Sequence, residues 1–272
     1  FIGSLNSFRS YGAKLYGAKI EDDGINTDDV ERLLKEHDNV KFIYTIPTFQ
    51  HPSGTTMSLE KRKKLLELAE KYDVMIFEDN PYGELRFNGK DVATLKSMDK
   101  TGRVIYAGTY SKTLAPGIRV GFLCAAKKIV DRVIVVKQVN DVNTTVLSQM
   151  MVYEYITRYD FEAHIKKCCE VYKKRCDLML SKMDEKFPKE CKYTRPDGGI
   201  FILATMPEGC DTKKMLAEAI ENKVAFVPGN TFMHDMDAPS NMFRLNYSVT
   251  SEDAIIKGID LLSEVVKKYA VK

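Results

Sequence analysis

No stretch of the 272-residue chain approaches the roughly 18 consecutive apolar residues that a membrane-spanning helix needs, so no bilayer span is expected. Six cysteines (Cys124, Cys168, Cys169, Cys176, Cys191 and Cys210) include no Cys-x-x-Cys pair. Two of them are adjacent, which suits neither a zinc knuckle nor the bridged framework of a secreted protein; a reduced, cytoplasmic setting without a metal site is expected. Neither sign of charge dominates. The 41 basic and 38 acidic residues leave a net +3, too little for a nucleic-acid footprint. The one basic block, Lys61-Arg62-Lys63-Lys64, falls on a predicted helix and reads as a solvated face. There is no internal repeat, no low-complexity tract and no signal-peptide pattern. The first residue is Phe1 rather than Met, so the chain reads as a fragment or processed product of something longer.

What is present is enough apolar sequence, 44% of the chain, for one large core or two modest ones. Thr27 is placed to cap a helix with Asp28 and Asp29 in its first turn, where acids suit the helix dipole. Val30, Leu33, Leu34 and His37 follow at helical spacing, which makes His37 a helix-face residue. A strand is predicted over 40–46 and a helix from Ser58 with Leu65, Leu68, Ala69 and Tyr72 on one face. The run Val74 to Phe77 then reads as a strand covered on both sides. This is the α/β alternation, in which ligands sit at the carboxyl ends of parallel strands. Residues 120–124 read as an antiparallel or edge strand and 127–139 as a helix. From Val146 helical spacing continues for an unusual length, with Ile165, Cys168, Cys169, Tyr172, Cys176 and Met179 in one stripe, so the cysteines are expected to fill core. Beyond Pro188 come shorter strands at 200–203, 224–227 and 242–247 with helices near 212–222 and 251–270. The expected organisation is α/β: a large domain over 1–160 on a mostly parallel sheet, and a smaller α+β domain over 161–272.

Three segments fall where chemistry converges in such a fold. Beyond the apolar run at 104–107 comes Thr109-Tyr110-Ser111-Lys112, with Arg119 seven residues after the lysine. A lysine desolvated beside another cation loses its proton more readily and can form an imine with an aldehyde. Hydroxyls from Thr109 and Ser111 and the forked guanidinium of Arg119 suit a phosphate. The strand near residue 77 ends in Asp79-Asn80-Pro81-Tyr82, and the first strand runs into the breaker-rich Phe49-Gln-His-Pro-Ser-Gly54 loop. Arg244 sits in an otherwise apolar strand, which is costly unless an anion pairs with it.

The 109–121 segment resembles the cofactor-lysine segment of fold-type I aminotransferases of classes I and II, with Thr109 in place of the usual first serine. The resemblance implies pyridoxal 5′-phosphate (PLP) as cofactor, the PLP-transferase fold type I, Lys112 as the Schiff-base lysine and Arg119 as the phosphate anchor. It makes Asp79 the acid at the pyridine nitrogen and Tyr82 a donor to the ring hydroxyl. His51 stands where the family's Asn-Pro-Thr-Gly loop carries asparagine, also facing that hydroxyl. Asn241 to Tyr247 resembles the strand whose arginine, here Arg244, grips the substrate α-carboxylate. Pro196 to Phe201, including the Gly198-Gly199 pair, resembles a segment near the substrate, where Gly199 would let the backbone approach a ligand. The implied activity is transfer of an amino group between an L-amino acid and a 2-oxo acid in a homodimer, most similar to the 2-aminoadipate and kynurenine aminotransferase branch. Family members carry a glycine-rich phosphate loop, a ring-stacking aromatic and a dimer-partner tyrosine ahead of the point where this sequence starts. Two alternatives stay open on the sequence alone: the effector-sensing domain of a PLP-dependent transcription regulator, and a PLP-dependent C–S lyase.

Overall fold

A computed structural model of the chain describes residues 1–270. Two compact units make it up. The first comprises Phe1–Gly17, His51–Gly54 and Glu170 onward; the second comprises Ala18–Gln50 and Thr55–Cys169.

In chain order, α1 (Ile2–Ser10) belongs to the first unit. The second unit begins with a small hairpin of β1 (Ile20–Glu21) and β2 (Gly24–Ile25), followed by α2 (Thr27–Glu36). The cap of α2 is Asn26 and not Thr27, whose backbone is already helical; the Asn26 carboxamide accepts from the Asp29 amide at 2.8 Å. Next come β3 (Phe42–Thr45), α3 (Leu59–Lys71) capped by Ser58, β4 (Met75–Asp79), α4 (Leu95–Met98), β5 (Val104–Thr109) and β6 (Gly121–Cys124). The sheet order is β3-β4-β5-β6, parallel except for β6, which returns antiparallel against β5 at the sheet edge. The apolar faces of α2 and α3 close over this sheet in a core of Val30, Leu34, Leu65, Leu68, Ala69, Ile76 and Val104. Burial of this kind contributes about 25 cal/mol per Å² of apolar surface.

The basic block on α3 is not uniformly solvated. Arg62 is fully buried, because it lies three and seven residues before Leu65 and Ala69 and so shares their face. It survives there by donating to the carbonyls of Met57 (3.0 Å), Pro47 (2.9 Å) and Ala93 (3.1 Å) and to the Thr48 hydroxyl (3.0 Å). Burial lowers its pKa to about 10, with Glu78 partly offsetting the effect.

After β6 follow α5 (Lys127–Asn140), whose Ile134, Val135, Val136 and Val139 are exposed, and α6 (Val146–Arg158). The long helical run does not continue unbroken. Tyr159 is extended and Asp160 starts a new helix, α7 (Phe161–Lys186), by accepting from the Ala163 amide at 2.8 Å. The division between units falls inside α7, between Cys169 and Glu170. Of the cysteine stripe, Cys169 and Cys176 are buried and Cys168 is half-buried; burial pushes the Cys176 thiol up to about 12.

The remainder of the first unit holds β7 (Lys192–Tyr193), β8 (Phe201–Thr205), α8 (Thr212–Glu221), β9 (Val227–Pro228), β10 (Met242–Asn246) and α9 (Glu252–Ala270). Its sheet is antiparallel, ordered β7-β8-β10-β9. The strand expected over 224–227 is only the two residues of β9, since Val224 is used in closing α8, its amide bonding the Ala219 carbonyl at 3.0 Å. Phe243 and Leu245 of β10 and Ile202 and Ala204 of β8 are buried, as are Ile255, Ile259, Leu262 and Val266 at helical spacing along α9.

Candidate active site

Parallel pairing sets which residues share an edge of the second unit's sheet. Thr45 pairs with Glu78 and Asp79 with Ala107, so β3, β4 and β5 all end at the same edge. β6 begins there, with Gly121 opposite Thr109. Asp79, the Thr109–Lys112 segment and Arg119 are therefore delivered to one side of the sheet by topology alone.

The turn carrying Lys112 leaves β5 directly. The Leu114 and Ala115 amides both bond the Tyr110 carbonyl, at 2.9 and 3.1 Å, closing the chain around Ser111, Lys112 and Thr113. The Ser111 amide donates to the Thr109 hydroxyl at 3.1 Å, which in turn donates to the Ser111 hydroxyl at 3.0 Å. Arg119 Nη1 reaches the same Ser111 hydroxyl at 3.2 Å and the Pro116 carbonyl at 2.9 Å. Arg119 is in the left-handed conformation (φ 54°, ψ 40°), an uncommon state for a non-glycine residue that turns the chain back into β6. Two hydroxyls and a guanidinium thus cluster.

Asp79 closes β4 on the face it shares with Phe77, while Ile76 and Glu78 point the other way and are buried. Tyr44 of β3 stands opposite Phe77, which makes Asp79 its diagonal neighbour across the strands. The Tyr44 hydroxyl donates to Asp79 Oδ2 at 2.7 Å. Burial raises the Asp79 pKa, and the Tyr44 bond works against that shift by favouring the anion. Three residues on, Tyr82 is buried at 3% exposure. The buried Glu78 accepts from the Leu95 and Lys96 amides at 2.9 and 2.7 Å, so its carboxylate caps α4 and is not directed to the Asp79 side.

The first unit holds a separate pair. Arg244 lies on β10 between buried Phe243 and Leu245, hence on the opposite face of that sheet. Its guanidinium lies over the rings of Phe201 (4.3 Å) and Phe232 (5.3 Å). Arg244 Nη1 donates to His51 Nε2 at 2.6 Å, and because arginine can only donate, that nitrogen of the buried imidazole accepts and is unprotonated. Phe201 and Phe232 also meet the His51 ring edge-on at 4.8 and 4.9 Å. His51 thus stands with Arg244, although the two are 193 residues apart. Gly199 has φ 74°, a backbone state that favours glycine, and the neighbouring Gly198 carbonyl accepts from the Tyr247 hydroxyl at 3.2 Å.

Two residues in these arrangements escape a reading of the sequence. Tyr44 needs the register of β3 against β4, which no local pattern supplies. Arg62, which ties the Pro47–Thr48 exit of β3 to α3, is masked by its basic neighbours; its spacing to Leu65 and Ala69 is the signal that would have found it.

The sequence profile of aminotransferases of class I and II matches residues 4–259, and the chain belongs to that family. It is 43% identical over its whole length to aromatic-amino-acid aminotransferase 1 of Thermococcus litoralis, and 32% identical over 98% of its length to the 2-aminoadipate transaminase of Thermus thermophilus. It covers 66% of the first and 67% of the second, so the chain spans about two thirds of the length of these relatives. The crystal structure of Pyrococcus horikoshii kynurenine aminotransferase, solved in complex with PMP, superposes on 98% of the chain with a TM-score of 0.95 at 41% identity, and the chain covers 67% of it. The fold is accordingly the α/β PLP-transferase fold of type I, and pyridoxal 5′-phosphate is the cofactor that goes with it. The residues present suit that group. The Thr109–Ser111–Arg119 cluster has the donors a phosphate dianion needs, and a buried carboxylate at Asp79 matches a protonated ring nitrogen of opposite charge.

Proposed function

We propose that the chain carries the catalytic core of a PLP-dependent aminotransferase that moves an amino group between an L-amino acid and a 2-oxo acid. The observation that carries this reading is the shared edge of β3, β4 and β5, to which Asp79, Lys112 and, through β6, Arg119 are all brought. Bound PLP supplies an aldehyde that amines can join and a ring that draws electrons away from the substrate Cα. Lys112 would be the amine that anchors the cofactor and, as a free amine, the general base that takes the proton from the substrate Cα. Arg119, Thr109 and Ser111 hold the phosphate. Asp79, kept in place by Tyr44, holds a proton on the ring nitrogen, and Tyr82 donates to the ring hydroxyl. Arg244 binds the substrate α-carboxylate as a bidentate donor, with His51 fixing the rotation of its guanidinium, and Gly199 allows close approach of the backbone. The second unit serves as the cofactor domain and the first as the smaller domain; the working protein is a cytoplasmic homodimer. Among the described residues no helix is long and apolar enough to cross a membrane.

The test is product analysis with PLP, 2-oxoglutarate and, in turn, kynurenine, 2-aminoadipate and phenylalanine. Glutamate should form with at least one donor and not with Lys112→Ala. Pyruvate and a thiol from cystathionine, without glutamate from any donor, would instead establish the lyase alternative.

A further inference from the structure

One group that the proposed chemistry leaves unused touches the lysine turn from a distant part of the second unit. His164 lies in the first turn of α7, where the Asp160 carbonyl takes its amide at 3.2 Å. Its Nε2 is 2.9 Å from the carbonyl oxygen of Thr113, the residue that follows Lys112. A carbonyl can only accept, so Nε2 carries the hydrogen and the tautomer is fixed. Cys168, one helical turn on, places its sulfur 3.6 Å from the same nitrogen. The ring cannot easily swing away: Tyr155 meets it edge-on at 5.6 Å and Phe161 lies nearly parallel to it at 6.3 Å. Thr113 itself is buried, at 4% exposure.

We infer that His164 is a positioning residue for Lys112, its Nε2–H···O=C bond holding the Thr113–Leu114 peptide, one residue beyond the lysine, so that the amine leaves the turn in one direction. The inference rests on the assignment of Lys112 as the cofactor's anchor. The turn's own bonds, Leu114 and Ala115 to Tyr110, fix its closure; the bond from His164 adds a restraint from 51 residues away that ties the turn to α7. A misdirected lysine would alter the affinity for PLP and the environment of the lysine-bound chromophore, while a plain packing role for the ring would alter only stability.

The experiment compares His164→Leu, which keeps bulk and loses the donor, with His164→Gln, whose amide N–H can reach the same carbonyl. In the cofactor-free protein, nitrogen-15 NMR of the imidazole should show the proton on Nε2. Spectroscopic titration with PLP should show affinity falling about tenfold in the leucine variant, the size of effect expected for one lost hydrogen bond, and returning to within about twofold in the glutamine variant. The pH midpoint of the lysine-bound chromophore should move in the leucine variant and return in the glutamine variant. Unchanged affinity and midpoint in a folded leucine variant, or a proton on Nδ1, overturn the inference. If the leucine variant does not fold, His164→Asn, too short to reach, replaces it: asparagine weak and glutamine normal supports the restraint, and equal behaviour of the two overturns it. Lys112→Ala separates the two levels. A chromophore that persists there removes the assignment of Lys112, and this inference with it; a chromophore that disappears leaves His164 to be judged by the other variants.

Discussion

Two arginines of this chain, Arg119 and Arg244, are assigned to anions and are built in opposite ways. Arg119 depends on its near neighbours: a left-handed backbone, the Pro116 carbonyl three residues back and the Ser111 hydroxyl eight residues back. Arg244 depends on the distant chain, stacked on Phe201 and Phe232 and bonded to His51. The first is a local motif that needs only one strand–turn–strand to exist. The second exists only once the first unit has folded, so its geometry is as secure as the packing around it and no more. Rigid stacking also limits its rotamers, which suits an arginine that must present one edge to a planar carboxylate.

Substitutions can break this comparison. Arg244→Leu should lower kcat/KM for the amino acid by a factor of a few hundred, mostly through KM, because a charge-assisted bidentate contact is worth about 3–4 kcal/mol. Steady-state kinetics at saturating PLP check this; an unchanged KM would detach Arg244 from the carboxylate. Arg62→Met should destabilise the protein by about 3 kcal/mol in urea unfolding, since it strips donors from three carbonyls and a hydroxyl in a dry site. A loss below about 1 kcal/mol would mean that water replaces the guanidinium. Arg119→Leu should weaken PLP binding by about tenfold to a hundredfold while leaving the amino-acid KM at saturating PLP nearly unchanged, the reverse of the Arg244 result. Equal effects on both quantities would erase the distinction between the two arginines.

The smallest effect concerns Asp79. Burial raises its native pKa, so its ionised form is a cost that the native state carries at neutral pH. The native state then binds the proton more tightly than the unfolded chain, and stability falls as pH rises through the native pKa. In the cofactor-free protein Asp79→Asn should therefore unfold at a temperature no lower than wild type at pH 8. Its advantage should shrink as the pH is lowered and wild type takes up the proton. A variant less stable at pH 8, with the gap closing as acidification protonates the wild-type carboxylate, would show that the Tyr44 bond outweighs burial.

How much of this was legible beforehand follows the same division. The strand–helix alternation, the antiparallel β6 and the buried face of α3 arise from short-range patterns, and the sequence reading reaches them; the contacts among Thr109, Ser111 and Arg119 are equally local. The Asn26 cap was misplaced by one residue because two polar residues in succession can each serve. The break at Tyr159–Asp160 lay hidden in continuous helical spacing, since a residue with an acceptor side chain can both end one helix and begin the next. Tyr44 beside Asp79, His51 on Arg244 and His164 on Thr113 are products of register and packing between elements far apart in sequence, for which one sequence carries no local mark.

The claim under all of this is that Lys112 is the residue that holds the cofactor. Adding PLP to the native chain, reducing with borohydride and sequencing the tryptic peptides by mass spectrometry tests it directly. The account predicts a pyridoxyl phosphate label on Lys112 that is absent in Lys112→Ala. A label spread over surface lysines, or one that survives that substitution, would contradict it.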